Sequence, residues 1–235
     1  MMFGRYMGSF HRECDDIMVE IEQINGLQTY RRRCGGETFE RLLVSKTGEV
    51  IVNPVEPVNL PKDITDFLQM EFTPMVIEPG ASRTVYLKFP VEIGVFLESA
   101  KDIEVLDVFA AGSQKYTLYG SPTHGVVARY YRSAVYPEIP LVETLREGVM
   151  ELSITNTSYE WVEVSQAVFN STDMKIYYDD FVSTTATMNI LSSTLAETNF
   201  VDAPLQIGMV KSIELYAARK IPGLNRGYLM EWGFT

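Results

Sequence analysis

Cysteine and histidine are scarce in this sequence, whose 235 residues contain two of each. A structural zinc site needs four such ligands, usually in two closely spaced pairs. His11 and Cys14 have the spacing of half a site, but Cys34 and His124 are isolated. The sequence also lacks a phosphate loop and a nucleophile elbow. We therefore predict no metal ion and no cofactor, and we assign no catalytic residue.

Long apolar runs are also missing. No stretch approaches the ~18 uncharged apolar residues that cross a membrane. The first residues, MMFGRYMGSFHRECDD, contain no apolar core of a signal peptide. We therefore expect no membrane insertion and a cytoplasmic location.

Positive charge is the third deficit, since 20 Lys and Arg oppose 31 Asp and Glu and the net charge is −11. This balance opposes nucleic-acid binding, which depends on basic side chains that neutralise phosphates. The basic run YRRRC follows Asn25-Gly26, a strong signal for a two-residue hairpin turn. In that hairpin Arg31 faces Glu20, so its charge is compensated. Arg32 shares a face with Val19 and is predicted to reach an acidic partner in the core or at an interface.

The same hairpin separates the two cysteines. It pairs Ile17 with Cys34, which places Cys14 three residues further along its strand and roughly 10 Å from Cys34. A disulfide requires Cα atoms within ~7 Å of each other. We therefore predict two reduced thiols, which suit a reducing compartment.

Alternation of apolar and polar residues with a period of two runs through the chain, and helical periodicity is nearly absent. The clearest segment, VYLKFPVEIGVFLE, is apolar at every odd position over 85–97. Its even positions include Lys88, Glu92 and Glu98 and are predicted to face solvent. Pro90 cannot donate to a ladder, so the segment is an edge strand or two strands broken there. Similar alternation predicts strands at FLQMEF, VMELSIT, TATMNIL and SIELYAA.

These short strands, separated by turn residues, predict an all-β protein with little helix. It has either two β-sandwich (immunoglobulin-like) domains or one large antiparallel β-sandwich. The segments VIEPGASRTVYLKFP and MELSITNTSYEWVEVSQAVF resemble the strand–turn–strand units of immunoglobulin-like sandwiches. The connection YPEIPLVETLREG carries prolines and charges and is the predicted boundary. The predicted domains are a β-sandwich over 1–140 and a second, smaller immunoglobulin-like sandwich over 141–235.

One segment, KYTLYGSPTHGVVARYYRSAVYP over 115–137, is the richest in reactive and aromatic side chains. It is predicted to form a hairpin whose loop carries His124, and loops are where function concentrates. Tyrosine together with arginine is enriched at binding surfaces, although tyrosine also suits strands without any function. The candidate ligand- or partner-binding residues are Tyr119, His124, Arg129 and Tyr131.

Three functions are compatible with this pattern. The leading prediction is a non-enzymatic β-sandwich module that binds a protein partner or forms a homo-oligomer. The alternative is a small-ligand or carbohydrate-binding domain that uses the aromatic side chains of the hairpin as stacking platforms. The third is a hydrolase built on His124 with Asp179 or Glu160 as the orienting acid. Ser121 beside His124 does not suffice, because neighbouring loop residues rarely form a nucleophile–base pair.

A family resemblance rests on six strings: VNPVEPVNLPKDIT, VIEPG, FPVEIGVF, KYTLYGSP, EWVEVSQAVF and MKIYYDD. In these strings the chain resembles an uncharacterised archaeal family of domains of unknown function (DUF432-like). The resemblance spans most of the sequence. It implies an archaeal, cytoplasmic protein and carries over no activity, cofactor or catalytic residue.

Overall fold

The computed structural model describes residues 2–24, 27–43, 49–99, 102–218 and 227–234. Nineteen strands lie within these ranges, with one turn of 3₁₀-helix and one turn of α-helix. The prediction of an all-β protein with little helix is confirmed. Within the same ranges, no helix is long and apolar enough to span a bilayer. The Asn25-Gly26 turn lies outside the described residues.

Turns and loops of up to 14 residues, the longest over 133–146, connect the elements along the chain. Besides the strands there are a 3₁₀ turn at Ser171–Asp173 and helix α1 at Leu215–Ala218. The strands are β1 (Gly4–Met7), β2 (Phe10–Cys14), β3 (Ile17–Ile24), β4 (Leu27–Cys34), β5 (Glu37–Leu43), β6 (Glu49–Val55), β7 (Phe67–Ile77), β8 (Ser82–Pro90), β9 (Glu92–Glu98), β10 (Ile103–Phe109), β11 (Tyr116–Tyr119), β12 (Val126–Arg132), β13 (Glu147–Asn156), β14 (Val162–Asn170), β15 (Tyr177–Tyr178), β16 (Val182–Ser192), β17 (Leu195–Val201), β18 (Val210–Lys211) and β19 (Tyr228–Met230).

The strands form four sheets. The meander sheet has the order β2-β3-β4-β5, and the N-terminal sheet has the order β1-β6-β9-β10. The hairpin sheet has the order β11-β12-β7-β14. The large sheet has the order β18-β15-β16-β13-β8, with β17 on β16 and β19 on β17. The hairpin sheet packs on the large sheet in a sandwich, since β7 and β12 contact β8 and β14 contacts β17 and β19.

Most neighbouring strands are antiparallel, but β12 with β7 and β13 with β16 are parallel pairs. Alternation along one strand cannot reveal this, because it reports the two faces of the strand and not the direction of its neighbours. The parallel pairs therefore become apparent only in the assembled sheets.

Strands from both sides of residue 140 pair within the same sheets. β8 pairs with β13 over nine positions, from Glu147 opposite Pro90 to Thr155 opposite Ser82. β7 pairs with β14 in the hairpin sheet. One cluster of buried apolar side chains includes residues of all four sheets. The division into 1–140 and 141–235 stays a prediction about independent folding, while this pairing favours one large sandwich.

The alternating segment over 85–97 forms two strands, β8 and β9, with a break between them at Val91. This is the predicted alternative of two strands rather than one. β8 is an edge strand of the large sheet, where a proline without an amide hydrogen is tolerated. β9 lies between β6 and β10 in the N-terminal sheet. The prediction that Glu92 faces solvent is wrong. Glu92 is fully buried, because both faces of β9 are covered over its first five residues.

The prediction of a strand at SIELYAA is also wrong. Residues 215–218 form helix α1, in which the Ala218 N–H donates to the Glu214 carbonyl. The Leu215 N–H donates to both carboxyl oxygens of Glu56, at 3.2 and 3.3 Å. This tertiary contact takes the place of the ladder bond that a strand would make.

The meander sheet has the register that its sequence predicts. Glu20 pairs with Arg31 across β3 and β4, and their side chains lie 3.6 Å apart. Cys14 is exposed and Cys34 is buried, and both thiols are free. The prediction of two unpaired cysteines is therefore confirmed.

Arg32 joins the meander sheet to the N-terminal sheet. It pairs with Val19 across the strands, and its Nε donates to Asp107 Oδ2 on β10 at 2.9 Å. The Tyr30 hydroxyl donates to the same oxygen. The predicted acidic partner is thus an internal one. Removing one member of a buried ion pair typically costs about 3–5 kcal/mol, so this contact stabilises the docking of the two sheets.

Candidate functional site

The segment 115–137 forms the predicted hairpin at the edge of the hairpin sheet. β11 pairs with β12 from Tyr116 opposite Arg129 to Tyr119 opposite Val126. Gly120 in the connecting loop has a φ of 97°, a conformation that favours glycine. β12 is held on its other side by β7 and contacts β8. Its C-terminal half is therefore fixed next to the break between β8 and β9.

A cleft of about 340 Å³ opens beside this half of β12. Four segments line it: the β8–β9 break at Pro90 and Val91, the connection over 110–115, residues 129–132 of β12, and residues 146–147 at the start of β13. Its volume lies at the lower end of the range for small-molecule pockets. Much of the lining stands on strands, which hold side chains more rigidly than loops do.

Two of the four candidate binding residues line the cleft, namely Arg129 and Tyr131. Tyr119 lies at the other end of the hairpin and is 4% exposed. Its hydroxyl donates to the Trp232 carbonyl at 2.8 Å and accepts from the Trp232 N–H at 2.9 Å. Burial raises the pKa of Tyr119 to about 12. These contacts give Tyr119 a packing role.

His124 is exposed on the hairpin loop, away from the cleft. Its Nδ1 lies 2.9 Å from Thr123 Oγ1. Its backbone N–H, and not its ring, contacts Ser121 Oγ. Among the described residues, neither Glu160 nor Asp179 forms a hydrogen bond or ion pair with the ring. The arrangement therefore lacks, in the part of the chain that the structure describes, the acid that the hydrolase hypothesis requires.

The cleft is basic although the chain is acidic. Four of its lining residues are cationic and only Glu147 is acidic. The cationic residues are Lys115, Arg129, Arg132 and Arg146. They are all the Lys and Arg residues that the sequence contains over 102–150. Every positive charge of this long segment therefore converges on one place.

Glu147 does not neutralise these cations, because its carboxylate is already engaged. It accepts hydrogen bonds from the Tyr131 hydroxyl at 2.6 Å and from Lys88 Nζ at 2.9 Å. Burial disfavours the ionised form, but the two hydrogen bonds outweigh it and hold the pKa of Glu147 below its usual value. Burial and the bond to Glu147 raise the pKa of Tyr131, so its hydroxyl stays a donor.

Two of the arginines are paired with carboxylates outside the cleft. Arg146 lies 2.5 Å from Asp16 and 3.4 Å from Glu143. Arg132 Nε lies 3.5 Å from Glu71, and 76% of the Arg132 side chain is exposed. These pairs reduce the charge that the two arginines offer to a ligand, although they do not remove it.

Arg129 is the exception among the arginines. It is 3% exposed, and its Nε and Nη1 atoms have no hydrogen-bond partner among the described residues. Its guanidinium carbon lies 5.6 Å from the centroid of the Tyr116 ring. A buried polar group without a partner typically costs about 1–3 kcal/mol, and more when it is charged. Buried donors of this kind are usually satisfied by water, an ion or a ligand, so Arg129 is a candidate ligand contact.

Glu92 is the carboxylate whose pKa is affected by the positive charge of Arg129. Burial raises the pKa of Glu92 to about 7, and the charge of Arg129 acts in the opposite direction. One Glu92 oxygen accepts from the Asn59 N–H at 3.0 Å, while Oε1 has no partner among the described residues. The two groups form no ion pair within the described ranges, so Arg129 is only partly compensated.

Sequence reasoning missed Lys115, Arg146 and Glu92. No sequence signal points to the first two, because the segment 102–150 contains Lys and Arg about as often as the whole chain does and they are spread along it. Arg146 lies in the segment predicted as the domain boundary, where no binding residue is expected. Glu92 belonged to the face predicted to be solvated.

Metal ligands do not cluster among the residues that the structure describes. Within the ranges that the structure describes, no group of three or more His, Cys, Asp or Glu side chains could hold a metal ion. His11 lies 3.7 Å from Glu13 and 3.6 Å from Glu20. These two contacts belong to the exposed charge pattern of the meander sheet.

A comparison with protein families identifies the family of this chain. The model of the family described as "Protein of unknown function (DUF432)" matches residues 2–231, and the chain belongs to this family. The resemblance noted in the six strings is thereby confirmed. No curated protein and no solved structure matches the chain.

Proposed function

We propose that the protein is a non-enzymatic β-sandwich module that binds a small ligand in the cleft beside the 115–137 hairpin. The observation that carries the proposal is the cleft of about 340 Å³, lined by two residues of the sequence-predicted binding set, Arg129 and Tyr131. Small-molecule sites are concave, with apolar walls and a few oriented polar groups. Pro90, Val91 and Ala110 supply apolar walls here, and the Tyr131 hydroxyl is oriented by Glu147.

Blocking the cleft is expected to abolish ligand binding. Ser113 is an exposed residue of the lining, so Ser113→Trp fills space without removing a charge. The probe is a panel of sugars, amino acids, carboxylates and phosphate esters, screened by ligand-observed NMR. We expect at least one compound to bind the wild type, and Ser113→Trp to weaken that binding by about tenfold or more.

The matched control for this experiment is Thr194→Trp, which adds the same side chain in an exposed turn outside the cleft. It is expected to bind as the wild type does. If no compound binds, or if Ser113→Trp binds every compound as well as Thr194→Trp does, the proposal is wrong.

Association with a protein partner or with a second copy is a second proposal, supported by exposed aromatic side chains between β13 and β14. Tyr159 is 99% exposed and Trp161 is 64% exposed, and aromatic residues are enriched at interfaces. Light scattering coupled to size exclusion would show a dimer that Trp161→Ser disrupts. A strict monomer that captures nothing would count against this proposal.

We further propose that the protein is cytoplasmic and does not bind nucleic acid. Two free thiols suit a reducing compartment. The net charge of −11 opposes contact with nucleic acid. A cluster of four cationic lining residues is small enough to suit a compact anion.

A further inference from the structure

Resting on the proposed function, we propose that the ligand of the cleft carries a doubly charged oxyanion, as in a phosphate monoester, and that Arg129 and Lys115 bind this group. Both residues line the same cleft. Among the described residues, no carboxylate lies at ion-pairing distance from either of them. They are therefore the two cations of the lining whose charge an incoming ligand can neutralise.

Arg129 supplies buried donors for the oxyanion. The residue is 3% exposed, and its Nε and Nη1 atoms, which are buried, lack a partner among the described residues. A planar guanidinium presents its N–H groups in a geometry that suits phosphate and carboxylate oxygens. Hydrogen bonds between ionised partners are also about twice as strong as neutral ones. An oxyanion that enters the cleft and reaches these nitrogens would therefore offset the free-energy cost of burying them without a partner.

Lys115 supplies a second charge at the exposed side of the cleft. It directly precedes β11, and its carbonyl accepts a hydrogen bond from the Tyr130 N–H at 2.8 Å. This bond fixes the backbone of Lys115 to β12, the strand that carries Arg129. Lys115 is an exposed residue, and a lysine ammonium stands on a flexible four-carbon stem, so it can meet an anion without a large rearrangement.

The nearby acids oppose an anion only weakly. Glu147 is saturated by Tyr131 and Lys88. Burial raises the pKa of Glu92 to about 7, so this carboxyl is partly protonated near neutrality. A basic cleft in a protein of net charge −11 also concentrates the local field at one point of the surface.

Charge and volume together define the ligand class. Two cations without an ion-pair partner among the described residues match one doubly charged group, whereas a single carboxylate would leave one of them unpaired. The cleft has room for more than an inorganic anion and has apolar walls at Pro90, Val91 and Ala110. A small organic backbone that carries a phosphate group fits both properties.

Isothermal titration calorimetry at constant ionic strength tests this inference. The three titrants are glycerol 3-phosphate, glycerol and inorganic phosphate. We expect both phosphate compounds to bind the wild type and glycerol not to bind. Lys115→Met is expected to weaken glycerol 3-phosphate binding about fivefold, and Arg129→Lys about tenfold or more. Lys62→Met, an exposed lysine outside the cleft, is the control and is expected to bind as the wild type does.

The variants separate the inference from the proposed function. Lys115 is exposed, so its substitution tests the inference even if Arg129→Lys fails to fold. If Lys115→Met and Arg129→Lys bind phosphate as the wild type does, the inference is wrong. If neutral compounds bind in a way that Ser113→Trp abolishes, and phosphate does not compete, the inference fails and the proposed function stands. If no compound responds to Ser113→Trp, the proposed function itself fails.

Discussion

The segment 141–235, produced alone, is expected to remain unfolded. β13 and β14 would lose β8 and β7, their neighbours from the first 140 residues. Met150, Leu152 and Ile154, which are fully buried in the complete chain, would then face water. Burial of each such side chain contributes about 1.5–3 kcal/mol, against a total stability of only about 5–15 kcal/mol for a domain. Circular dichroism and amide NMR spectra should therefore show a disordered chain without a cooperative transition.

The matched control is the complete chain cut by a protease after folding, within 137–146. These residues, all of them described, contain no strand or helix. The two fragments are expected to stay associated and to keep the dichroism of the intact chain. If the isolated 141–235 segment gave a dispersed spectrum and a cooperative thermal transition, the boundary predicted at residue 140 would separate two independent domains.

The contribution of Glu56 to the free energy of unfolding is expected to fall by an amount on the order of 4 kcal/mol as the pH rises from about 4.5 to about 8. Burial raises the pKa of Glu56 to about 8, although the hydrogen bond from the Leu215 N–H acts in the opposite direction. The folded chain therefore holds a proton that the unfolded chain releases near its ordinary pKa of 4.5. The resulting stability is complete below pH 4.5 and is lost as the pH passes through about 8. Glu92 acts in the same direction with a pKa of about 7.

Urea unfolding at pH 5 and pH 8.5 measures this dependence. Glu56→Gln replaces the carboxyl with a neutral group of the same shape and is expected to remove most of the slope. Glu78→Gln changes an exposed carboxyl and should leave the slope as in the wild type. The carboxyls of Glu147 and Asp202, whose pKa values are lowered, titrate below this window. A wild-type stability that stays constant from pH 5 to pH 8.5 would contradict the burial of a protonated Glu56.

The strands could be predicted from the sequence wherever one face of a strand meets the core and the other meets solvent. Met150, Leu152 and Ile154 were assigned to the core on this basis and are fully buried. The same logic failed at Glu92, because the central strand β9 has no solvated face. It failed again at Leu215, whose amide bonds to Glu56 rather than to a neighbouring strand. Burial on both faces and tertiary hydrogen bonds leave no period in the sequence.

The candidate site was predictable only in its hairpin part. Arg129 and Tyr131 were recognised because they lie in one segment that is dense in aromatic and basic residues. The break at Val91 and the start of β13 at Glu147 lie far from that segment in sequence and reach the cleft through the pairing of β8 with β13. That pairing depends on long-range topology, which local pattern does not encode. For the same reason Tyr119, in the same segment, turned out to pack against the chain near Trp232.

Anomalous diffraction from crystals soaked in selenate measures most directly whether the cleft is an oxyanion site. Selenate is a doubly charged tetrahedral oxyanion, and its selenium atom scatters anomalously. The account predicts an anomalous peak inside the cleft, within hydrogen-bonding distance of the Arg129 guanidinium and beside the Lys115 ammonium. Peaks confined to the outer surface, with Arg129 joined to Glu92 in the soaked crystal, would contradict it.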